Sequence, residues 1–149
     1  MACARSPNMA TFISNSPADT QAFGTRFGQQ AVSGLVIGLT GDLGAGKTQF
    51  VKGVAHGLGV SEAVLSPSFG LLHVYSTGRL PLFHLDFYRL DTTAQIVAAG
   101  LEEYLEPAGV TLVEWWDRWQ GAKPLHLLQL RFETINETQR RIVYDDPGA

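Results

Sequence analysis

Residues 41–48 read Gly41-Asp42-Leu43-Gly44-Ala45-Gly46-Lys47-Thr48 and match Gly-x-x-x-x-Gly-Lys-Thr at every fixed position. The pattern constrains the fold because each part has a mechanical job. The glycines let the backbone curl tightly, with amide N–H groups pointing into a concave cradle. A lysine at this place reaches the outer phosphates of a nucleotide, and the hydroxyl after it suits Mg²⁺. The cradle works between a strand and a helix whose positive end faces the anion. Both flanks are present. Leu35-Val36-Ile37-Gly38-Leu39 is a short apolar run that reads as a buried strand, and Phe50, Val51, Val54 and Leu58 recur at helical spacing before the stop signals Gly57 and Gly59. A glycine-rich turn that bound nothing would have no use for the Lys-Thr pair.

Bulk properties narrow the class. The chain has 149 residues, enough for one domain with a sizeable core and too few for two large ones. With 45% hydrophobic and 17% charged residues it should be globular rather than disordered. A formal net charge of −3 argues against a free-standing nucleic-acid binder, which normally carries a basic excess. It leaves room for a protein that works on RNA through partners. The single cysteine, Cys3, allows no disulfide framework within the chain and fits the reducing cytoplasm. No apolar run reaches 18 residues, so no membrane-spanning helix is expected. Residues 1–10 lack the apolar stretch of a secretory signal and read as a disordered tail, with Met9 as an alternative start. Residues 11–149 read as one domain without an internal linker.

Along that domain, Thr11-Phe12-Ile13 is a brief strand candidate. Ser16-Pro17-Ala18-Asp19 is a helix start, with Ser as N-cap and Pro at the first helical position. Phe23, Phe27 and Ala31 give that helix one apolar stripe. After the loop and its helix comes Ser66-Pro67-Ser68-Phe69, a proline-stiffened turn with two hydroxyls that reads either as a nucleotide-sensing switch or as an ordinary connection. A hairpin follows: a strand through Leu71, Leu72, Val74 and Tyr75, the turn Ser76-Thr77-Gly78-Arg79, and a returning strand from Leu80 to Phe87. A helical stretch is expected over residues 92–105, bent near Gly100 and ended by Pro107. Val110-Thr111-Leu112-Val113-Glu114 is a second buried-strand candidate, and two strands close the chain over 125–134 and 140–144.

Phosphoryl chemistry also needs a metal-holding acid and a group that positions the nucleophile. Glu114 ends an apolar strand and should lie at the carboxyl edge of the sheet beside the loop strand, where open α/β sheets place their ligands. A carboxylate there suits Mg²⁺, which prefers hard oxygen ligands. Asp86 lies in His84-Leu85-Asp86-Phe87-Tyr88-Arg89, where alternation puts His84, Asp86 and Tyr88 on one face. Asp86 is the candidate to orient or deprotonate an attacking water; His84 reads first as a structural histidine. Trp115, Trp116 and Trp119 crowd five residues, and at least one is expected at a partner surface or over a base.

In this order, Gly-Asp-Leu-Gly-Ala-Gly-Lys-Thr, Ser-Pro-Ser-Phe, His-Leu-Asp-Phe-Tyr-Arg and Val-Glu-Trp resemble the bacterial TsaE (YjeE) family, over residues from about 11 to 145. These are small ATPases required for making threonylcarbamoyladenosine in tRNA. The resemblance implies an α/β fold, a single P-loop NTPase domain with a mixed, parallel and antiparallel, central sheet flanked by helices. It implies ATP and Mg²⁺ as cofactors, with Asp42, Leu43, Gly44, Ala45, Gly46, Lys47 and Thr48 around the phosphates. Thr48 and Glu114 would hold the metal, and Asp86 would be needed for hydrolysis. Thr20, which with Phe23 and Gly24 resembles the family's first-helix pattern, would lie near the adenine end, with Arg140 a second candidate there. The partners implied are TsaB and TsaD, with tRNA met only through their complex, and the location is cytoplasmic. Two departures are visible: Gln49 stands where the family usually has a second Thr, and Ser68 where it usually has Thr. Two other readings use the same loop. A small-molecule kinase normally closes an arginine-bearing lid over the phosphates, and the eight arginines here form no such insertion. A nucleotide-gated module that does not hydrolyse would have less use for Asp86 and Glu114.

Overall fold

The computed structural model describes residues 9–42, 45–64 and 71–145. Seven strands, β1 (Met9–Ser14), β2 (Leu35–Gly41), β3 (Leu72–Tyr75), β4 (Leu82–Asp86), β5 (Val110–Glu114), β6 (His126–Thr134) and β7 (Arg140–Asp145), form one sheet in the order β1-β7-β6-β2-β5-β4-β3. The four central strands β6, β2, β5 and β4 run parallel. The outer pairs β1–β7, β6–β7 and β3–β4 are antiparallel. The sheet is therefore mixed. Its middle strands β2 and β5 carry the two most apolar runs, as strands covered on both faces must.

Helices α1 (Pro17–Gln30) and α2 (Lys47–Gly57) cover one face. Ser16 caps α1 by accepting from the Asp19 N–H at 3.1 Å, with Pro17 in the first turn, as the sequence reading has it. Their core gathers Phe23, Ile37, Leu39, Phe50, Val54, Leu112, Leu130, Phe132 and Ile142. The helices approach backbone to backbone: a Cβ on Gly53 would lie 2.1 Å from the Gln21 carbonyl oxygen, and one on Gly24 would lie 2.4 Å from that of Phe50. The other face is covered by α3 (Thr93–Ala98) and two single 3₁₀ turns, Glu102–Leu105 and Trp116–Arg118. They bury Val36, Leu85, Phe87, Ile96, Leu101, Val113, Trp116 and Trp119.

Three boundaries differ from the sequence reading. The expected helix over 92–105 is two pieces, because Gly100 adopts φ +78 and ends α3 before the 3₁₀ turn begins. The strand expected from Leu80 to Phe87 is shorter, Leu82–Asp86; Pro81 brings no N–H to the ladder, although its carbonyl accepts from Val110 at 2.9 Å. Met9 and Ala10 are not tail but strand, paired with Asp145 and Tyr144. Among the described residues no helix is long and apolar enough to cross a membrane.

Candidate functional site

The site lies at the carboxyl ends of β2, β5 and β4, three adjacent strands. Beyond Gly41 the chain turns into α2, whose N-cap Gly46 takes φ +94, a left-handed conformation. No side chain caps that helix. Its first amide N–H groups and its dipole therefore keep their capacity for an anion. Within the turn the Ala45 N–H donates to the Asp42 carbonyl at 3.1 Å. Leu43 and Gly44, two of the phosphate-contacting candidates, lie outside the described residues, as does the turn Ser66–Phe69.

Lys47 opens α2, yet it is only 4% exposed. Its Nζ donates to the Gly41 carbonyl at 2.9 Å and stands 4.4 Å above the Trp115 ring. Burial lowers the ammonium's pKa below the usual lysine range, against the opposing pull of Glu114, Asp86, Asp117 and Asp42. Three of those four acids, Glu114, Asp86 and Asp42, are residues the sequence reading placed at the site. The site thus sets a desolvated cation, with four acids acting on its charge, beside helix amides that no side chain caps.

Asp86 and Glu114 are register partners on β4 and β5. Burial raises the Asp86 pKa above the usual aspartate value; the Tyr88 N–H, donating to Oδ1 at 2.9 Å, opposes this, and the Glu114 charge adds to it. Tyr88 itself falls beyond the end of β4 and is 51% exposed, so the expected three-residue face is His84 and Asp86 only. Glu114 is 7% exposed and shares a hydrogen bond of 2.6 Å, Oε2 to Nε2, with the fully buried His84. Sequence reasoning missed this contact. It runs diagonally between neighbouring strands, and the signal that finds it is the adjacency of β4 and β5.

Trp115 holds the left-handed backbone conformation, φ 59, rare for a bulky residue. Its ring meets Tyr88 at 5.2 Å, and the Arg118 guanidinium lies 5.1 Å over it. Arg118 also donates to the carbonyls of Tyr88 and Leu90, fastening the segment after β4 to the turn after β5. Trp116 and Trp119 are core, 5% and 8% exposed, so the tryptophan cluster supplies far less surface than its composition suggests.

Thr48 lies in the first turn of α2, half-buried. Thr20 is 2% exposed; its hydroxyl is 2.7 Å from that of Ser14, and a Cβ on Gly46 would come within 3.9 Å of its methyl. It thus backs the loop rather than opening onto solvent. Arg140 begins β7 opposite Ser14 and Thr134, and its guanidinium donates to the Asn136 and Gln139 carbonyls at 2.7 and 3.0 Å. Among the described residues no group of three or more His, Cys, Asp or Glu is placed to hold a metal ion. The Thr48 hydroxyl and the Glu114 carboxylate are hard oxygens, and such a pair could hold Mg²⁺ were phosphate and water to complete its shell.

A parallel-centred mixed sheet with a glycine-capped helix springing from its middle strand is a P-loop NTPase-like fold. Comparison with known proteins goes further. Residues 14–142 match the family model described as threonylcarbamoyl adenosine biosynthesis protein TsaE. The chain is 39% identical over 132 residues to the tRNA threonylcarbamoyladenosine biosynthesis protein TsaE of Bacillus subtilis (strain 168), covering 89% of this chain and 82% of that protein. It is 39% identical over 130 residues to the protein of that name from Treponema pallidum (strain Nichols), covering 87% and 96%. The crystal structure of Bacillus subtilis YdiB is similar with a TM-score of 0.76 at 32% identity, covering 95% of this chain and 87% of that one. The chain belongs to the TsaE family.

Proposed function

We propose that this chain is an ATP hydrolase that supports the formation of threonylcarbamoyladenosine in tRNA, acting on a TsaB–TsaD complex rather than on the RNA itself. The observation that carries the reading is the convergence at Lys47. One buried ammonium stands at an uncapped helix start, with Asp86 and Glu114 close enough to act on its charge. A triphosphate would give the ammonium and the uncapped amides of α2 anionic partners, and a bound Mg²⁺ would offset the surrounding carboxylates. Lys47 would leave the Gly41 carbonyl for the outer phosphates, and the first amides of α2 would donate to the inner ones. Thr48 and Glu114 would hold Mg²⁺, which neutralises charge developing on the phosphate oxygens. Asp86, half-buried on the strand next to Glu114, would accept a proton from the attacking water or orient it. Family membership supports the pathway, since the named relatives are threonylcarbamoyladenosine biosynthesis proteins. The net charge of −3 suits a protein that leaves tRNA binding to its partners.

The test is ATP turnover by the purified chain, alone and with TsaB and TsaD, for the parent and Asp86→Ala. The expected result is slow hydrolysis that rises with the partners, and a variant that still binds ATP–Mg²⁺ but has lost turnover. Parent-like hydrolysis by Asp86→Ala removes the catalytic assignment. ATP consumption matched by phosphorylation of a small acceptor replaces the hydrolase with a kinase.

A further inference from the structure

His84 is the most deeply buried polar residue near the site, at 0% exposure, and nothing in the chemistry above employs it. On β4 it lies two residues before Asp86, on the sheet face that carries Leu82 and, across the strand pair, Leu112 and Glu114. Its Nε2 meets Glu114 Oε2 at 2.6 Å. Its Nδ1 is buried with no hydrogen-bond partner. Among the described residues His84 is the hydrogen-bond partner of the Glu114 carboxylate.

Packing does not require such a pair. A buried polar couple is commonly replaced by apolar side chains of similar volume at little or no cost to stability. What the couple supplies is orientation. The terminal torsion of a glutamate is broad, so a carboxylate without a fixed donor rotates freely. Near the Lys47 ammonium, such a carboxylate would turn toward the cation. A hydrogen bond to Nε2 holds Oε2 in place and leaves Oε1 for another ligand. That bond needs the tautomer with its proton on Nε2. The unpartnered Nδ1 is then a bare lone pair rather than a stranded N–H donor, which suits its apolar surroundings. Donors of this kind behind a metal ligand matter: removing one typically weakens metal affinity about 10- to 100-fold.

We infer that His84 is a positioning residue that holds the Glu114 carboxylate for a divalent cation bound with the nucleotide. The inference rests on the reading of Glu114 as a Mg²⁺ ligand. The test measures the affinity of the full chain for a fluorescent ATP analogue, once with excess Mg²⁺ and once with EDTA. The ratio of the two dissociation constants reports what the metal adds to binding and needs no turnover. His84→Leu removes the donor, and His84→Gln restores an N–H where Nε2 stands. For His84→Leu the ratio should fall about 10-fold or more, with the EDTA affinity within about 2-fold of the parent. For His84→Gln it should stay within about 3-fold of the parent. Three results overturn the inference: an unchanged ratio in His84→Leu, an equal loss with and without metal, or a ratio that His84→Gln fails to restore. A parent chain whose affinity ignores Mg²⁺ refutes the metal role of Glu114 itself, and this inference with it. Should His84→Leu lose its cooperative unfolding transition, His84→Asn, whose amide stops short of Glu114, takes its place against His84→Gln, with the same outcomes counting for and against.

Discussion

Replacing Gly53 by alanine tests the helix packing that carries the loop. In an exposed helix interior the substitution should stabilise, because alanine exceeds glycine in helix propensity by about 1 kcal/mol. Here the sign should reverse. The new Cβ would lie 2.1 Å from the Gln21 carbonyl oxygen, and real Cβ atoms essentially never come closer than 3.0 Å. The obstacle is the backbone of α1, not a side chain that can swing away. The helices must part by about 0.9 Å, the difference between those distances, or tilt by an equivalent amount. The parting disturbs the edge-on and tilted packing of Phe27 and Phe23 against Phe50, whose ring centroids lie 5.5 and 6.0 Å away. Overpacking of this kind costs about 1–3 kcal/mol even where the core repacks, so the strain outweighs the propensity gain. For a domain of this size each kcal/mol lowers Tm by roughly 2–4 °C. Thermal and urea unfolding of Gly53→Ala against the parent would show the change. Nucleotide affinity should weaken as well, because α2 carries Lys47 and Thr48. A variant as stable as the parent or more so would refute the claim that backbone contact fixes this helix pair.

Three further expectations follow. Asp86→Asn should abolish hydrolysis and raise stability at neutral pH in the absence of nucleotide. The reason is that a buried carboxyl with a raised pKa binds its proton more tightly folded than unfolded, so its contribution to stability falls as pH rises from the unfolded value of about 3.8 through the folded one; Tm followed from pH 4 to 8 should show the parent and variant diverging upward in pH. Arg79→Ala should cost about 1–2 kcal/mol by chemical denaturation, since the Arg79 guanidinium donates to the carbonyls of Gly28, Gln29 and Ala31 at the end of α1. Binding of ATP–Mg²⁺ should change tryptophan emission as Lys47 leaves the Trp115 ring, and Trp115→Phe should remove most of that change; a full response in the variant would place the reporter at Trp116 or Trp119.

Much of this architecture was legible because it depends on local pattern. The strand–loop–helix unit, the Ser16 cap and the all-buried β5 ending in Glu114 each follow from a few adjacent residues. What local pattern does not carry is which strands become neighbours. His84 reads as a structural histidine along its own strand; only the β4–β5 register brings it to Glu114. The core places of Trp116 and Trp119 were hidden for a related reason. Gly38 has no Cβ, and one built there would fall 2.4 Å from the Trp116 ring, so the sheet leaves a slot for an indole that composition cannot reveal. Gly57 reads as a helix stop and is the last residue of α2, where it also packs against Thr25, while Gly59, at φ +80, turns the chain after the helix.

The measurement that bears most directly on the whole account is a crystal structure of the chain with Mg²⁺ and a non-hydrolysable ATP analogue. The terminal phosphates are expected at Lys47 Nζ and the first amides of α2, the cation between Thr48 Oγ1 and Glu114, and Asp86 facing the outermost phosphorus. A nucleotide bound elsewhere, or a cation that touches neither Thr48 nor Glu114, would contradict it.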